Sequence, residues 1–121
     1  MKLLIVDDSN IMRRAIEKYA SPLGLELVGT AGNGQDALSI LQEKKPDLVT
    51  LDITMPLMDG LTCLKEMMRL RPQTKVIVIS ALSDQSTGLK ALKLGARSFL
   101  PKPFTEKQLM DEIKLVTGEL L

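Results

Sequence analysis

Apolar residues along this chain follow two alternating patterns. Short segments rich in Leu, Ile and Val cover residues 3–6, 26–31, 48–52, 75–80 and 98–101. Runs of this length are typical of strands buried on both faces. Between and after them, apolar residues recur at steps of three or four, which predicts five amphipathic helices. Their stripes are Met12, Ala15, Ile16 and Tyr19; Ala37, Leu38 and Leu41; Leu61, Leu64 and Met68; Leu89 and Leu92; and Leu109, Ile113, Val116 and Leu120.

Residues that start or stop helices stand at the ends of these stretches. Four helices are each preceded by a residue whose side-chain oxygen can cap the first turn, namely Ser9, Asp59, Asp84 and Thr105. Stop signals follow the first four helices in the order Gly24, Pro46, Pro72 and Gly95. Glycine suits a left-handed terminator, and proline cannot continue a helix.

The strict alternation of strand and helix predicts the fold class. It implies right-handed crossovers and a mainly parallel five-stranded sheet with helices on both faces, a three-layer doubly wound α/β sandwich. A chain of 121 residues has the size of one such domain, which we expect to span residues 1–121. Met1 directly before the first strand favours a natural start.

The longest unbroken apolar runs are four residues, whereas a membrane span needs about 18. The N-terminus also lacks the charged start and longer apolar stretch of a secretory signal. We therefore expect a soluble, cytoplasmic protein without a membrane partner. The 16 basic and 15 acidic residues are scattered along the chain, so we expect no direct binding to nucleic acid.

Two absences in the composition restrict the chemistry. The chain has no His, which excludes a Ser/His/Asp triad, a His-ligated metal and a phosphohistidine donor within this chain. Cys63 is the single cysteine, which excludes an internal disulfide and a CxxC site. Its place in an apolar helical pattern predicts a small buried hydrophobe rather than a reactive thiol.

Polar residues follow the predicted strands at the edge where such sheets bind ligands. Asp7 and Asp8 follow the first strand, Asp52 ends the third, Ser80 ends the fourth and Lys102 follows the fifth. Helix capping is an alternative role for Asp7 and Asp8. Three close carboxylates need a compensating cation, and Mg²⁺ prefers such oxygen ligands. We therefore predict an acidic Mg²⁺ pocket.

Lys102 is predicted to be the counter-charge of this pocket. Its neighbours in residues 99–104 are otherwise apolar, unlike those of an ordinary solvated surface lysine, which is the alternative interpretation. Pro103 makes a cis peptide bond after Lys102 possible. The amine is expected to pair with Asp52 at rest.

The motifs at these strand ends, taken together, resemble the response-regulator receiver domain of the stand-alone chemotaxis (CheY-like) type. They are Asp7-Asp8, the stretch LDITMPLMDG at 51–60, Ser80-Ala81 and Lys102-Pro103-Phe104. The resemblance covers essentially the whole chain. It implies a flavodoxin-like fold with strand order 2-1-3-4-5.

The resemblance also implies roles for the pocket. Asp52 would accept a phosphoryl group from the phosphohistidine of a sensor histidine kinase, or from acetyl phosphate. Asp8 would bind Mg²⁺ directly, Asp7 largely through water and Thr54 through its backbone carbonyl. Lys102 would offset phosphoryl charge. The chain would then be a phosphoacceptor switch that acts by binding, and not an enzyme with a separate substrate.

Switching is implied to involve two further residues. Ser80 would donate a hydrogen bond to the phosphoryl group, and Phe99 would turn inward into the space that Ser80 leaves. The fourth helix, last strand and last helix would then present a changed surface to an unknown target protein. Gly88 predicts a soft first half of the fourth helix, and fast amide exchange confined to residues 83–89 would support this.

Departures from the family pattern limit these roles. Phe99 stands where many members have Tyr, so its switching must depend on packing. Residues 95–99 lack the paired acids of the winged-helix transcription factors, which favours a monomer over their charged dimer. Leu82 lies where members tune dephosphorylation; because it cannot orient a water molecule, we expect a slow rate that Leu82→Glu would raise.

Three alternatives remain open from the sequence. One is a receiver domain excised from a longer transcription factor or hybrid kinase. Another is a small Mg²⁺-dependent phosphohydrolase, although Thr54 stands where such an enzyme needs a second acid and the chain is too short for a cap. The last is a flavodoxin-like nucleotide binder, for which Asp7-Asp8 is an unsuitable phosphate loop.

Overall fold

The computed structural model describes residues 1–53, 59–80 and 85–118, with five strands and five helices in alternation. The strands are β1 (Lys2–Val6), β2 (Glu26–Ala31), β3 (Leu48–Asp52), β4 (Lys75–Ser80) and β5 (Ser98–Pro101). The helices are α1 (Asn10–Ala20), α2 (Gly34–Lys44), α3 (Gly60–Leu70), α4 (Gln85–Lys93) and α5 (Glu106–Thr117). Four predicted strands match these bounds, and β1 begins one residue earlier than predicted.

The five strands form one parallel sheet in the order β2-β1-β3-β4-β5. This confirms the predicted three-layer doubly wound α/β fold and its strand order. The register is regular except between β1 and β2, where Leu3 pairs with Leu27 but Leu4 pairs with Gly29. The strand order changes direction at β1, because β2 lies on one side of it and β3 on the other. The carboxyl ends of β1 and β3 therefore form the crevice where ligands bind in such sheets.

Residues of each strand alternate between two hydrophobic clusters on the two faces of the sheet. One cluster lies under α2, α3 and α4 and contains Val49, Leu51, Val76 and Val78. The other lies under α1 and α5 and contains Leu3, Ile5, Leu48 and Leu100. This alternation places Asp7, Asp52 and Lys102 in phase with the second cluster, and Ser80 and Phe99 in phase with the first.

Several predicted helix ends are confirmed. The side chains of Ser9, Asp59 and Thr105 accept hydrogen bonds from backbone N–H groups in the first turns of α1, α3 and α5. Gly24 and Gly95 have φ values of 72° and 113°, in the left-handed region. Gly24, however, ends a short 3₁₀ turn at Ser21–Leu23 rather than α1 itself, because the chain tightens for one further turn after Ala20.

Other helix ends carry features that the sequence pattern did not indicate. Asn33 caps α2, and Lys45 ends it with a φ of 50°, just before Pro46. Gly118 ends α5 in the left-handed region, with a φ of 78°. Pro72 follows α3 as expected. The predicted cap Asp84 lies outside the described residues.

Gly60 begins α3 where two backbone segments come very close. Its N–H donates to the Ile53 carbonyl at 3.0 Å, and a Cβ added at Gly60 would lie 2.0 Å from the Ile53 Cα. No side chain fits there, so glycine is required for close approach rather than for its backbone angles. The contact fixes the start of α3 next to the end of β3.

Cys63 is fully buried in α3, as predicted, with its Sγ 3.8 Å from the Gly34 carbonyl oxygen. Burial raises the pKa of this thiol to about 12, and the nearby Asp59 charge adds to the effect. The thiol therefore stays protonated at neutral pH and acts as a small core residue.

Within the described part of the chain, every helix is too short or too polar to span a bilayer.

Candidate functional site

Three carboxylates converge at the carboxyl ends of β1 and β3. Asp7 and Asp52 are buried, with 0% and 3% of their surface exposed, whereas Asp8 is exposed. One oxygen from each lies within 4.8 Å of the others. The carboxyl ends of adjacent parallel strands meet at one edge, which is why residues 45 positions apart in sequence form one cluster.

Lys102 supplies the positive charge of this cluster. Its Nζ lies 3.1 Å from Asp7 Oδ2 and 3.5 Å from Asp52 Oδ2, with 18% of the side chain exposed. The predicted counter-charge is therefore present, and the Lys102-Pro103 peptide bond is cis. The amine pairs with both buried acids. Asp52 is the partner that we expected from the sequence, and Asp7 lies closer.

The turn after β1 is held by a set of hydrogen bonds. The Asp7 N–H donates to the Ala31 carbonyl at 2.9 Å, and Asp7 Oδ1 accepts from the Ser9 N–H at 2.9 Å. Ser9 in turn caps α1. Asp7 thus orders the turn and contributes to the acidic cluster, whereas the residue that caps α1 is Ser9 and not Asp7.

Arg13 also contacts this turn, which sequence analysis missed. Its Nη1 donates to the Asp7 carbonyl and its Nη2 to Asn10 Oδ1. The available signal was spacing: Asn10 and Arg13 are three residues apart and share a helix face, and helical side chains lean towards the N-terminus. That lean brings the guanidinium back over the β1–α1 turn.

Ser80 ends β4, and Phe99 lies in β5, the strand that leads to Lys102. Ser80 is fully buried, and its carbonyl accepts from the Lys102 N–H at 2.7 Å. Phe99 is half-buried and packs against the cluster under α2, α3 and α4. Its ring lies against α4 at Gly88, where an added Cβ would be 3.3 Å from Phe99 Cγ.

The donor set fits a hard divalent cation. Three carboxylates and one ammonium leave a net negative charge, and carboxylate oxygens are the ligands that Mg²⁺ prefers. Asp8 is the member of the cluster open to solvent, so the oxygen set is accessible from outside. Two residues with predicted roles lie outside the described residues. They are Thr54, the expected backbone ligand of Mg²⁺, and Leu82, which we expect to slow dephosphorylation.

The family comparison separates a receiver domain from the other protein classes that the sequence left open. Residues 3–114 match the family model of the response regulator receiver domain. The chain belongs to this family. Receiver domains of this kind are phosphoacceptor switches with an acidic pocket for Mg²⁺. Neither the phosphohydrolase nor the nucleotide-binder alternative is favoured.

Individual relatives agree with this assignment. The chain is 40% identical to the chemotaxis protein CheY of Thermotoga maritima over 96% of this chain and 97% of that protein. It is 43% identical to CheY of Listeria monocytogenes, covering 94% and 96%. Among solved structures, a chain in the CheX–CheY–BeF₃–Mg²⁺ complex from Borrelia burgdorferi matches with a TM-score of 0.93, 34% identity and coverage of 97% and 89%.

Proposed function

We propose that this response regulator accepts a phosphoryl group on Asp52 from the phosphohistidine of a sensor histidine kinase. The geometry around Asp52 carries the proposal. Its carboxylate is almost buried at the end of β3, lies 3.5 Å from Lys102 and shares a cluster with Asp7 and Asp8. This matches what phosphoryl transfer needs, namely a fixed oxygen nucleophile surrounded by groups that offset charge.

The proposed step forms one bond and breaks one. An Asp52 carboxylate oxygen attacks phosphorus, and the P–N bond of the donor breaks with its electron pair moving to the imidazole nitrogen. With acetyl phosphate as donor, the P–O bond breaks and acetate leaves. Lys102 offsets charge on the phosphoryl oxygens without gaining or losing a proton. The product is an acyl phosphate, which hydrolyses readily and suits a reversible signal.

The acidic cluster is proposed to hold Mg²⁺ through Asp8 and Asp52, with Asp7 acting through water and the Thr54 backbone carbonyl completing the set. When bound, the cation would neutralise charge on the phosphoryl oxygens. The residues of this chain orient the reaction: Asp7 holds Lys102 at 3.1 Å, and the turn after β1 holds Asp7.

The output is proposed to be a change of surface around α4, β5 and α5. Ser80 would donate to the phosphoryl group, and Phe99 would move further inward as Ser80 turns. On α4 and in the turn before β5, the exposed side chains include Leu89, Lys90, Leu92, Lys93 and Arg97, whereas α5 exposes Lys107 beside the acids Glu106 and Asp111. A target protein with an acidic rim around an apolar centre would fit the α4 part of this face.

A chemotaxis-type role is proposed from the CheY relatives. The solved complex from Borrelia burgdorferi contains CheY with CheX, BeF₃ and Mg²⁺, so a related receiver forms a protein complex in the presence of a phosphoryl mimic. For this chain we propose the same mode of action, in which phosphorylation changes the affinity for a downstream protein.

Amide chemical shifts recorded with beryllium fluoride and Mg²⁺ test this proposal. We expect shifts at Asp7, Asp8 and Asp52 and also at Ser80, Phe99 and α4, because the switch couples the two sets. An Asp52→Asn variant, which keeps the shape of the side chain, is the matched control and should show none of the fluoride-dependent shifts. Shifts confined to the acidic cluster in the wild-type protein would contradict the switching part of the proposal.

A further inference from the structure

Arg13 occupies a defined position at the rim of the acidic site. It lies in the first turn of α1 and is half-buried, and its guanidinium spans the β1–α1 turn. One nitrogen donates to the Asp7 carbonyl and another to Asn10 Oδ1. A guanidinium is a planar fork that fixes two acceptors relative to each other, which the single ammonium of a lysine does not do.

The loop between β2 and α2 also lies next to this guanidinium. A Cβ added at Gly32 would lie 3.3 Å from Arg13 Nη1 and 3.9 Å from the Asp7 carbonyl oxygen. The absence of a side chain at Gly32 therefore leaves room for the arginine fork. The fork is held between the turn that carries the acids and the loop that follows β2.

Asp7 and Asp8 are held very differently. Both Asp7 carboxylate oxygens have partners, the Ser9 N–H and Lys102 Nζ. Asp8 is exposed, and no hydrogen bond or ion pair joins its carboxylate to another residue in the described ranges. The Asp7 carbonyl belongs to the planar peptide unit that leads into Asp8. A donor that fixes this carbonyl therefore fixes the direction in which the chain enters Asp8.

We propose that Arg13 is a positioning residue that sets the direction of the Asp8 carboxylate by holding the Asp7–Asp8 peptide unit. It acts through the backbone and touches neither the metal nor the phosphoryl group. The inference rests on the proposed function for its consequence, Mg²⁺ binding, but its structural part is independent. Mutation of a residue that orients a metal ligand without binding the metal typically lowers metal affinity by about 10- to 100-fold.

The neighbouring Arg14 provides a matched control. It carries the same charge one residue later, but it is exposed and borders a surface groove with Glu17 and Lys18, about 100° around α1 from Arg13. Replacing Arg14 removes the same long-range charge without touching the β1–α1 turn. Any difference between Arg13→Met and Arg14→Met therefore reports the contact with the Asp7 carbonyl.

The test measures two quantities in Arg13→Met, Arg13→Lys, Arg14→Met and wild-type protein. Solvent exchange of the Ser9 amide is measured without metal, because this N–H donates to Asp7 Oδ1 and so reports on the order of the β1–α1 turn. The Kd for Mg²⁺ is measured by calorimetry. For Arg13→Met we expect about tenfold faster Ser9 exchange and an about tenfold higher Kd. Arg13→Lys keeps the charge and should lie between Arg13→Met and wild type, whereas Arg14→Met should match wild type in both measurements.

Wild-type Ser9 exchange in both Arg13 variants would overturn the inference, as would equal effects of Arg13→Met and Arg14→Met. If Arg13→Met does not fold, the same comparison is made with Arg13→Lys. Failure of the wild-type protein to bind Mg²⁺ would reject the proposed function, while Ser9 exchange in the metal-free variants would still decide the role of Arg13.

Discussion

Gly88 in α4 lies directly against the ring of Phe99 on β5. A Cβ added at Gly88 would lie 3.3 to 3.5 Å from three ring carbons, and the shortest of these distances is tighter than most contacts of real Cβ atoms. The glycine therefore does more than lower the helix propensity of α4: it makes room for the aromatic ring that we propose as part of the switch.

Gly88→Ala should have opposing effects that depend on Phe99. Alanine raises helix propensity by about 1 kcal/mol, and the new methyl group pushes the ring outward. We expect a net change in unfolding free energy below about 1 kcal/mol in the wild-type background. In a Phe99→Ala background the same substitution should give the full stabilisation. Denaturant unfolding of all four proteins measures this coupling, and identical effects in both backgrounds would contradict the contact.

Lys102→Met should strengthen Mg²⁺ binding to the unphosphorylated protein. The ammonium lies within 3.5 Å of two of the three acids, so an incoming cation meets its repulsion and competes for the same oxygens. We expect the Kd for Mg²⁺ to fall about tenfold, which corresponds to about 1.4 kcal/mol. Lys107→Met is the matched control, since Lys107 is exposed and pairs with Asp111 on α5. An unchanged or higher Kd in Lys102→Met would reject the competition.

Thr50→Val should stabilise the fold by about 1 kcal/mol. The Thr50 hydroxyl is fully buried in β3 and has no hydrogen-bond partner among the described residues, so it carries a desolvation cost. Thr74→Val is the contrasting variant, because the buried Thr74 hydroxyl donates to the Pro46 carbonyl at 3.2 Å. That variant should lose about 1 kcal/mol. Denaturant unfolding measures both, and destabilisation by Thr50→Val would show that its hydroxyl is satisfied.

Asp59 should make α3 sensitive to acid. Hydrogen bonds from the Thr62 backbone N–H and from its hydroxyl lower the pKa of Asp59 below its ordinary value of 3.8. A lowered pKa means that the ionised cap stabilises the fold above about pH 4, and that this stabilisation disappears as the pH falls through the folded-state pKa.

Asp59→Asn keeps a capping oxygen but removes the charge. We expect the wild-type protein to be more stable than this variant by about 0.5 kcal/mol at pH 7, with the difference shrinking below pH 4. Denaturant unfolding of the two proteins at pH 7 and below pH 4 measures the difference in unfolding free energy. An NMR titration of the wild-type protein gives the pKa of Asp59 directly. A difference that grows towards low pH would contradict the assignment.

The parts of the molecule that sequence predicts well depend on local pattern and on topology. Short segments rich in Leu, Ile and Val locate the strands to within one residue. In β1, β3 and β4, burial on both faces leaves little choice of residue type, whereas the edge strands β2 and β5 are only partly buried. The cluster of Asp7, Asp8 and Asp52 follows from the rule that parallel strands end at one edge. Ser9 and Thr105 cap their helices through contacts three residues away, a distance that the sequence itself sets.

Other features depend on tertiary distances that a linear pattern does not contain. Lys102 pairs with Asp52 as expected, but the sequence did not indicate its second and closer partner, Asp7. Lys45 adopts a left-handed conformation normally given to glycine where it ends α2. The role of Gly88 becomes visible only when α4 and β5 are placed side by side.

Intact-protein mass spectrometry after incubation with acetyl phosphate and Mg²⁺ tests the central claim most directly. The samples are wild type, Asp52→Asn and wild type with the metal chelated. Our account predicts one added phosphoryl group on the wild-type protein with Mg²⁺ and none in the other two samples. Equal phosphorylation of Asp52→Asn, or phosphorylation that is independent of the metal, would contradict the assignment of Asp52 as the acceptor in a cation-dependent site.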